Sequence, residues 1–364
     1  MKARPAALGA AAGLAALAWL LPAAPAGAAP AAGGSFGGGL TGVSCVSASD
    51  CWAVGGTGNN VPVTDHWDGT AWSVMHVPVP RGSYTAELPA ISCTGATSCW
   101  AVGDYGAAAT SKLLPYAERW NGTAWSAVTL PHPAGAFVSG LVSVACASAV
   151  SCWAVGTAGS PAAPLAEHWN GHAWAIVRIA ALGARGDPEG VYCAGAGDCW
   201  ITGLTGRNAS LAAHWDGRTW SVTPTPGSGS GDGELLSTSC SGRDCVSVGD
   251  KSPHTLAERW NGSAWAVTPT GPRRGFLEGV SCTAGFHCLA TGNTLGGRAL
   301  SEVWNGSSWR VVLLPLRPRA RAAALVGVSC AAAADCWSVG SSFNGSRGFS
   351  LIEHWNGTSW SVAG

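Results

Sequence analysis

Fourteen cysteines divide this 364-residue sequence into seven similar units. They form pairs with five intervening residues, or four in the fifth pair: Cys45 and Cys51; Cys93 and Cys99; Cys146 and Cys152; Cys193 and Cys199; Cys240 and Cys245; Cys282 and Cys288; Cys330 and Cys336. The first cysteines of successive pairs are 48, 53, 47, 47, 42 and 48 residues apart, a period typical of propeller blades and solenoid repeats. An even, regular set predicts one disulfide within each unit, and the lack of Cys-x2-Cys spacing disfavours zinc.

Tryptophan marks the same units. A Trp-[Asn/Asp]-Gly-x-x-Trp pattern occurs in all seven, and a further Trp follows the second cysteine in five of them, at Trp52, Trp100, Trp153, Trp200 and Trp337. Short runs of apolar and β-branched residues between turn residues predict four strands in each unit. The Trp-Asn-Gly or Trp-Asp-Gly step predicts a tight hairpin turn between the third and fourth strands.

Four-stranded sheets that are apolar on both faces must stack on their neighbours, and seven of them can close radially. We therefore predict an all-β fold, a seven-bladed β-propeller of four-stranded blades with one disulfide inside each blade. An open β-solenoid is the alternative, but the first and last units carry no distinct capping sequence. The predicted blades cover residues 40–87, 88–138, 139–188, 189–234, 235–275, 276–323 and 324–364, and we expect a monomer.

The N-terminus has the features of an export signal. Lys2 and Arg4 precede an apolar run over residues 6–21, and small residues follow at 26–28. We predict a signal peptide over residues 1–28, a Gly/Ala/Pro-rich linker over 29–39, and a secreted protein with no membrane segment after cleavage.

Charged residues make up 11%, with 20 basic and 20 acidic, so we expect no nucleic-acid partner. Arg outnumbers Lys 17 to 3, a bias typical of GC-rich bacterial genomes.

The strand Trp52-Ala-Val-Gly-Gly56 is aromatic at its start and ends in glycine, and a later strand ends in a turn four or five residues before a Trp. In these respects the unit resembles the kelch repeat of galactose-oxidase-like propellers. It also resembles uncharacterised secreted Cys/Trp repeat proteins of GC-rich bacteria. The resemblances imply a propeller and specify no ligand.

Antiparallel strand order separates the loops onto two sides of such a fold. The disulfide face carries the loops within cysteine pairs and the third-to-fourth hairpins, which vary little in length. The variable-loop face carries the second-to-third loops and the connections between blades, and function usually lies in such loops. Basic residues concentrate there in units five to seven, in a group that we name the cationic sector: Lys251, Arg273, Arg274, Arg298, Arg317, Arg319, Arg321 and Arg347.

The cationic sector predicts a binding site for an extracellular anionic partner, because Arg pairs well with carboxylate and phosphate groups. The partner would be an acidic glycan, a cell-wall polymer or a protein, and solvated loop charge without a ligand is the alternative interpretation. On this basis we predict a non-enzymatic binding module with no catalytic residues, no metal and no other cofactor. The competing hypothesis is a carbohydrate-active lyase or hydrolase that draws its groups from the variable-loop face: Tyr84, Glu87, Asp104, Tyr105, His132 and His254.

Six units carry an acidic residue two positions before the third-strand Trp: Asp65, Glu118, Glu167, Glu258, Glu302 and Glu353. Paired carboxylates are typical of glycosidases, but repetition at one strand position favours structural ion pairs or hydrogen bonds between strands. We make the same prediction for His66, His168, His214 and His354.

Overall fold

A computed structural model describes residues 38–59, 61–226, 233–271, 274–312, 314–315 and 317–363. The predicted signal peptide and most of the predicted linker lie outside these residues. Within them, 28 strands form seven four-stranded antiparallel sheets, and every sheet uses four strands that are consecutive in sequence. The seven-bladed β-propeller predicted from the repeats is confirmed. No helix in the described ranges is long and apolar enough to cross a membrane.

The blades are numbered in chain order. Blade 1 consists of β1 (Gly38–Ser47), β2 (Asp50–Thr57), β3 (Pro62–Trp67) and β4 (Trp72–Met75); blade 2 of β5 (Ser83–Gly95), β6 (Ser98–Ala107), β7 (Lys112–Trp120) and β8 (Trp125–Thr129); blade 3 of β9 (Ser139–Ser148), β10 (Ser151–Ala158), β11 (Ala163–Trp169) and β12 (Trp174–Ile176); and blade 4 of β13 (Asp187–Gly195), β14 (Asp198–Leu204), β15 (Ser210–Trp215) and β16 (Trp220–Val222). Blade 5 consists of β17 (Gly233–Ser241), β18 (Asp244–Lys251), β19 (His254–Trp260) and β20 (Trp265–Val267); blade 6 of β21 (Gly275–Thr283), β22 (His287–Thr294), β23 (Ala299–Trp304) and β24 (Trp309–Val312); and blade 7 of β25 (Ala322–Ala332), β26 (Asp335–Phe343), β27 (Gly348–Trp355) and β28 (Trp360–Val362). A 3-10 turn, Ala180–Leu182, lies between blades 3 and 4. The first strands begin at the expected blade boundaries or up to five residues before them.

The first strand of each blade is the innermost. First strands of neighbouring blades pack against one another around the whole ring, including β1 against β25. The backbone N–H of Cys93 donates to Ser44 Oγ of the preceding blade (3.0 Å), and the N–H of Cys45 donates to Ser329 Oγ of blade 7 in the same way (3.0 Å). Blade 7 thus meets blade 1 as other blades meet, and the ring closes without exchanging a strand.

All seven predicted disulfides are confirmed, one in each blade. In each case the two cysteines lie directly opposite each other on the first and second strands, with Cα atoms 3.9–4.0 Å apart. In blade order, Cys45 is bonded to Cys51, Cys93 to Cys99, Cys146 to Cys152, Cys193 to Cys199, Cys240 to Cys245, Cys282 to Cys288, and Cys330 to Cys336. A disulfide at this position closes the first hairpin of its blade on the disulfide face.

Tryptophan fills the spaces between blades. Trp52 packs against Trp120 and Trp125 of the next blade, with ring centroids 4.7 and 5.1 Å apart. The same three-ring arrangement recurs at four further interfaces, with centroid distances of 4.7–5.3 Å. Val246 and Leu289 take the place of the second-strand Trp in blades 5 and 6. These rings are buried or half-buried between sheets, so they are not platforms for a sugar.

The partners predicted for the third-strand carboxyl groups are wrong for four of the six. Four of these acids have side chains that are at most 1% exposed, and neither of their carboxyl oxygens has a hydrogen-bond partner among the described residues. They are Asp65, Glu118, Glu167 and Glu353. Side chains two positions apart on a strand point to the same face of the sheet. The acid two residues before the Trp therefore points, like the Trp, into the apolar space that faces the preceding blade. Burial raises the pKa of Asp65 to about 6 and the pKa of Glu118, Glu167 and Glu353 to about 8.

The carboxyl group of Glu302 does have a partner, because its Oε2 accepts a hydrogen bond from the Gly271 N–H (2.7 Å). The predicted polar contacts of the third-strand histidines are confirmed. Three of these histidines pair with an Asp on the second strand at 2.8–2.9 Å, in His66–Asp50, His214–Asp198 and His354–Asp335. His168 lies 3.3 Å from Ser151 Oγ.

Candidate functional site

A channel of about 330 Å³ runs along the axis of the ring, between the first strands. All seven blades contribute to its wall the residue four positions before their first cysteine: Thr41, Pro89, Val142, Glu189, Leu236, Glu278 and Val326. Two of these seven wall residues, Glu189 and Glu278, therefore carry carboxyl groups, and the other five are uncharged.

More carboxylates lie where the channel opens on the variable-loop face. Glu87 lies directly opposite Asp104 on β5 and β6, and Glu234 lies directly opposite Asp250 on β17 and β18. Asp187 begins β13 at the corresponding position of blade 4. We name these five residues the acidic mouth. Like charges directly opposite each other in a sheet are unfavourable, so ionisation of both members of either cross-strand pair costs stability.

Burial and mutual repulsion raise several pKa values at this end of the channel. Burial, and next the charge of Glu87, raises the pKa of Asp104 to about 6. Burial, and next the charge of Asp187, raises the pKa of Glu189 to about 7. Of the acidic groups at this end of the channel, only Glu87 and Asp104 were among the candidates predicted from the sequence. The signal was available, because acidic residues recur six and four positions before the first cysteine.

The structure brings together four of the six residues of the enzyme hypothesis, at one end of β5 and β6. Glu87 and Asp104 are opposite each other, Tyr105 lies opposite Ala86, and the Tyr84 ring lies so close to Gly106 that a Cβ there would collide with it. The two histidines are not part of this group in sequence or in the sheet. His132 lies in the connection between β8 and β9, and His254 begins β19 of blade 5.

The cationic sector occupies loops that are hydrogen-bonded from blade to blade. The Gly275 N–H of blade 6 donates to the Pro253 carbonyl of blade 5 (3.1 Å), and the Ala323 N–H of blade 7 donates to the Gly297 carbonyl of blade 6 (2.9 Å). Arg273 lies outside the described residues. Arg317 is half-buried, and the other six members are exposed: Lys251, Arg274, Arg298, Arg319, Arg321 and Arg347. In the described part of the chain, no ion pair involves the arginines of the sector.

Two arginines of the sector line a cavity of about 240 Å³ between the β24–β25 connection and the β26–β27 loop, which we name the blade 7 pocket. Its lining is Arg317, Pro318, Arg319, Ala320, Ser342, Phe343, Asn344 and Phe349. Phe343 is 44% exposed, which is unusual for so large an apolar side chain. The two phenylalanines and Asn344 were not among the candidates predicted from the sequence, because they follow no repeat position.

The backbone of the pocket carries strain at Arg319, whose φ is 70°. A residue with a side chain rarely adopts this left-handed conformation, and such residues cluster at ligand sites. Burial lowers the pKa of Arg317, and the nearby carboxyl group of Glu353 opposes that shift. The pocket therefore combines one half-buried and one exposed guanidinium with two aromatic rings.

No group of three or more His, Cys, Asp or Glu side chains among the described residues is placed to hold a metal ion.

No protein-family model and no curated protein sequence matches this chain. Solved structures match its fold. YCF48 from Cyanidioschyzon merolae is 14% identical with a TM-score of 0.58, over 86% of this chain and 96% of that one. The fucose-specific lectin from Aleuria aurantia is 11% identical with a TM-score of 0.51, over 75% and 94%. The GH74 xyloglucanase from Xanthomonas campestris is 13% identical with a TM-score of 0.61, over 90% and 54%.

At these identities the similarity establishes the β-propeller fold alone. A lectin and a glycoside hydrolase are both among the structures with this fold. The resemblance to kelch proteins and to secreted Cys/Trp repeat proteins stays a prediction.

Proposed function

We propose that this protein is a secreted, non-enzymatic binding module that holds an acidic glycan on its variable-loop face, at the blade 7 pocket and the cationic sector around it. The observation that carries the proposal is the placement of Arg317 and Arg319 beside Phe343 and Phe349 in one cavity. Seven disulfides support an oxidising, extracellular environment.

Two features of the lining suit an acidic sugar, and a third fixes the shape of the loop. A guanidinium can donate two parallel hydrogen bonds to a carboxylate, which fixes orientation as well as charge. An exposed aromatic ring offers the apolar surface on which the C–H face of a pyranose packs. Asn344 uses its Oδ1 to accept from the Ser346 and Arg347 backbone N–H groups (both 3.0 Å), which turns the side chain into a fixed part of the loop.

We expect Arg319→Gln to weaken binding of polygalacturonate about 10-fold or more, because a charge-assisted hydrogen bond contributes about 1.5–3 kcal/mol. The measurement is isothermal titration with the purified mature protein at low and high salt. The matched control is Arg218→Gln, which removes an exposed arginine from the β15–β16 turn on the disulfide face. Equal affinity of Arg319→Gln and the unmodified protein would remove the proposal, as would equal binding of uncharged dextran.

A second candidate is a glycoside hydrolase at Glu87 and Asp104. Residues directly opposite in an antiparallel sheet have Cβ atoms about 4.5–5.5 Å apart, and retaining glycosidases hold their carboxyl groups about 5–5.5 Å apart. Burial, and next the charge of the exposed Glu87, raises the pKa of Asp104 to about 6, and a carboxyl group with a raised pKa can serve as a general acid.

This candidate predicts release of reducing sugar from a polysaccharide substrate and loss of that release in Asp104→Asn. The binding-module proposal expects no release by the unmodified protein across a panel of acidic and neutral polysaccharides. Turnover that Asp104→Asn abolishes and Arg319→Gln leaves intact would replace the binding proposal with the hydrolase.

A further inference from the structure

Basic residues recur in pairs in four blades, two of which, blades 2 and 4, lie outside the cationic sector. In four blades, one basic residue lies in the connection that leads into the blade and a second lies at the loop between its second and third strands. The pairs are Arg81 and Lys112 in blade 2, Arg185 and Arg207 in blade 4, Arg274 and Arg298 in blade 6, and Arg321 and Arg347 in blade 7. In blades 2, 4 and 7 the second member stands eight residues before the third-strand Trp. The recurrence is therefore a property of the repeat.

Backbone contacts hold the two members of each pair on adjacent segments. In blade 2 the Ala108 N–H of the loop donates to the Gly82 carbonyl of the connection (3.0 Å). In blade 4 the two segments touch directly, since a Cβ on Gly206 would lie 3.1 Å from the Arg185 carbonyl oxygen.

The same arrangement holds in the two blades of the cationic sector. In blade 6 the Leu295 N–H donates to the Arg274 carbonyl (2.9 Å), and in blade 7 the Arg321 N–H donates to the Phe343 carbonyl (2.7 Å). The Arg321 guanidinium then extends over the loop, where a Cβ on Gly345 would lie 3.1 Å from its Nε.

None of the eight basic residues forms an ion pair within the described part of the chain. Seven are exposed, and Lys112 is half-buried. Two unneutralised cations on neighbouring segments repel each other, and an anion placed between them removes that repulsion. Each pair is therefore suited to one carboxylate or sulfate group.

The acidic mouth limits the path that a polyanion can take across this face. Its carboxylates stand beside the axis in blades 2, 4 and 5, whereas the cation pairs lie on loops and connections farther along the chain from the first cysteines. A chain with repeating negative charge is repelled from the axis and attracted to the loops. Its lowest-energy course follows the rim from one blade to the next.

We propose that the four cation pairs are equivalent subsites for acidic groups of a single linear glycan that runs around the rim of the variable-loop face. This inference rests on the proposed function and adds to it that the ligand is a polymer, bound at several blades at once. Linking of subsites raises affinity through effective concentration, by factors of about 100 to 10,000 without any new type of contact. Affinity should then grow with the length of the glycan.

The test uses the blade 4 pair, which lies outside the cationic sector. We compare the double variant Arg185→Gln/Arg207→Gln with a charge-matched control on the disulfide face, Arg218→Gln/Arg243→Gln. Titrations use a galacturonate disaccharide, longer oligogalacturonates and polygalacturonate. We expect the blade 4 variant to lose about 10-fold or more in affinity for the polymer, to bind the disaccharide with little change, and to show a weaker salt dependence than the control.

The outcomes separate the two proposals. If the unmodified protein binds polygalacturonate and the blade 4 variant equals the control, the rim subsites are wrong and the blade 7 pocket stands. If the unmodified protein binds no acidic glycan of any length, the proposed function itself is wrong. Equally tight binding of double-stranded DNA, with the same loss in the blade 4 variant, would overturn the assignment of a glycan.

Discussion

Replacing Trp337 with alanine is expected to lower the free energy of unfolding by about 3–5 kcal/mol, the usual cost of truncating a buried large aromatic side chain. Trp337 is 2% exposed and packs against Trp67 and Trp72 of blade 1, with ring centroids 4.7 and 5.1 Å apart. It lies at the one junction in the ring that no covalent connection crosses. Loss of its contacts therefore weakens the closure between blade 7 and blade 1. Urea unfolding followed by tryptophan fluorescence measures the change.

The matched control is Trp200→Ala, which removes the same ring from the interface between blades 4 and 5. Its cost in unfolding free energy should be similar, but the chain still joins the two blades there. Amide hydrogen exchange should accelerate in β1 and in β25–β28 for Trp337→Ala and should not do so for Trp200→Ala. The same exchange pattern in the two variants would show that side-chain packing at the seam does not hold the ring closed.

Raising the pH from about 4.5 to about 8 is expected to destabilise the propeller, because buried glutamates between the blades keep their protons to a higher pH in the folded chain than in the unfolded chain. Burial raises the pKa of Glu167 from 4.5 to about 8. Between these two values the folded chain keeps a proton that the unfolded chain has released, so the free energy of unfolding falls as the pH rises. Each such group contributes at most about 1.4 kcal/mol per pH unit. Glu118 and Glu353 act in the same direction over the same range.

Chemical denaturation at pH values below, within and above this window measures the effect. Glu167→Gln should flatten the dependence by the contribution of one group, whatever it does to the stability itself. Asp216→Asn should leave the dependence within this window unchanged, because backbone hydrogen bonds from Thr219 and Arg218 lower the pKa of that exposed carboxyl group. Blade 4 carries Ala213 where the other blades carry the acid, so an acid is not essential to the blade. A pH profile that is the same in Glu167→Gln and the unmodified protein would contradict the assignment.

The architecture could be predicted from the sequence because its signals are local and repeated. The spacing of Cys45 and Cys51 places them opposite each other in a hairpin, and the Trp67-to-Trp72 step fits a tight turn between paired strands. Because each pattern occurs seven times, the same repeat predicted the number of strands, their order in each sheet and the pairing of the cysteines. The identity of the innermost strand was not accessible in this way, since every strand in the unit is largely apolar.

The chemistry of single side chains was harder to predict because it depends on the neighbouring blade. Asp65 and His66 are adjacent in sequence, yet the acid is buried without a partner and the histidine pairs with Asp50. Nothing in one unit reveals what the preceding unit presents to it. The blade 7 pocket was difficult for another reason: pairing of β25 with β26 brings the segment of Arg319 beside Phe343, and neither residue follows a repeat position.

Each sheet is complete within one continuous stretch of chain, and this has an evolutionary consequence. Tandem duplication or deletion of a whole unit in the gene leaves every hydrogen-bond ladder and every cystine intact. The lineage could therefore have grown one repeat at a time, and the loops of each new copy were free to diverge while its scaffold stayed the same.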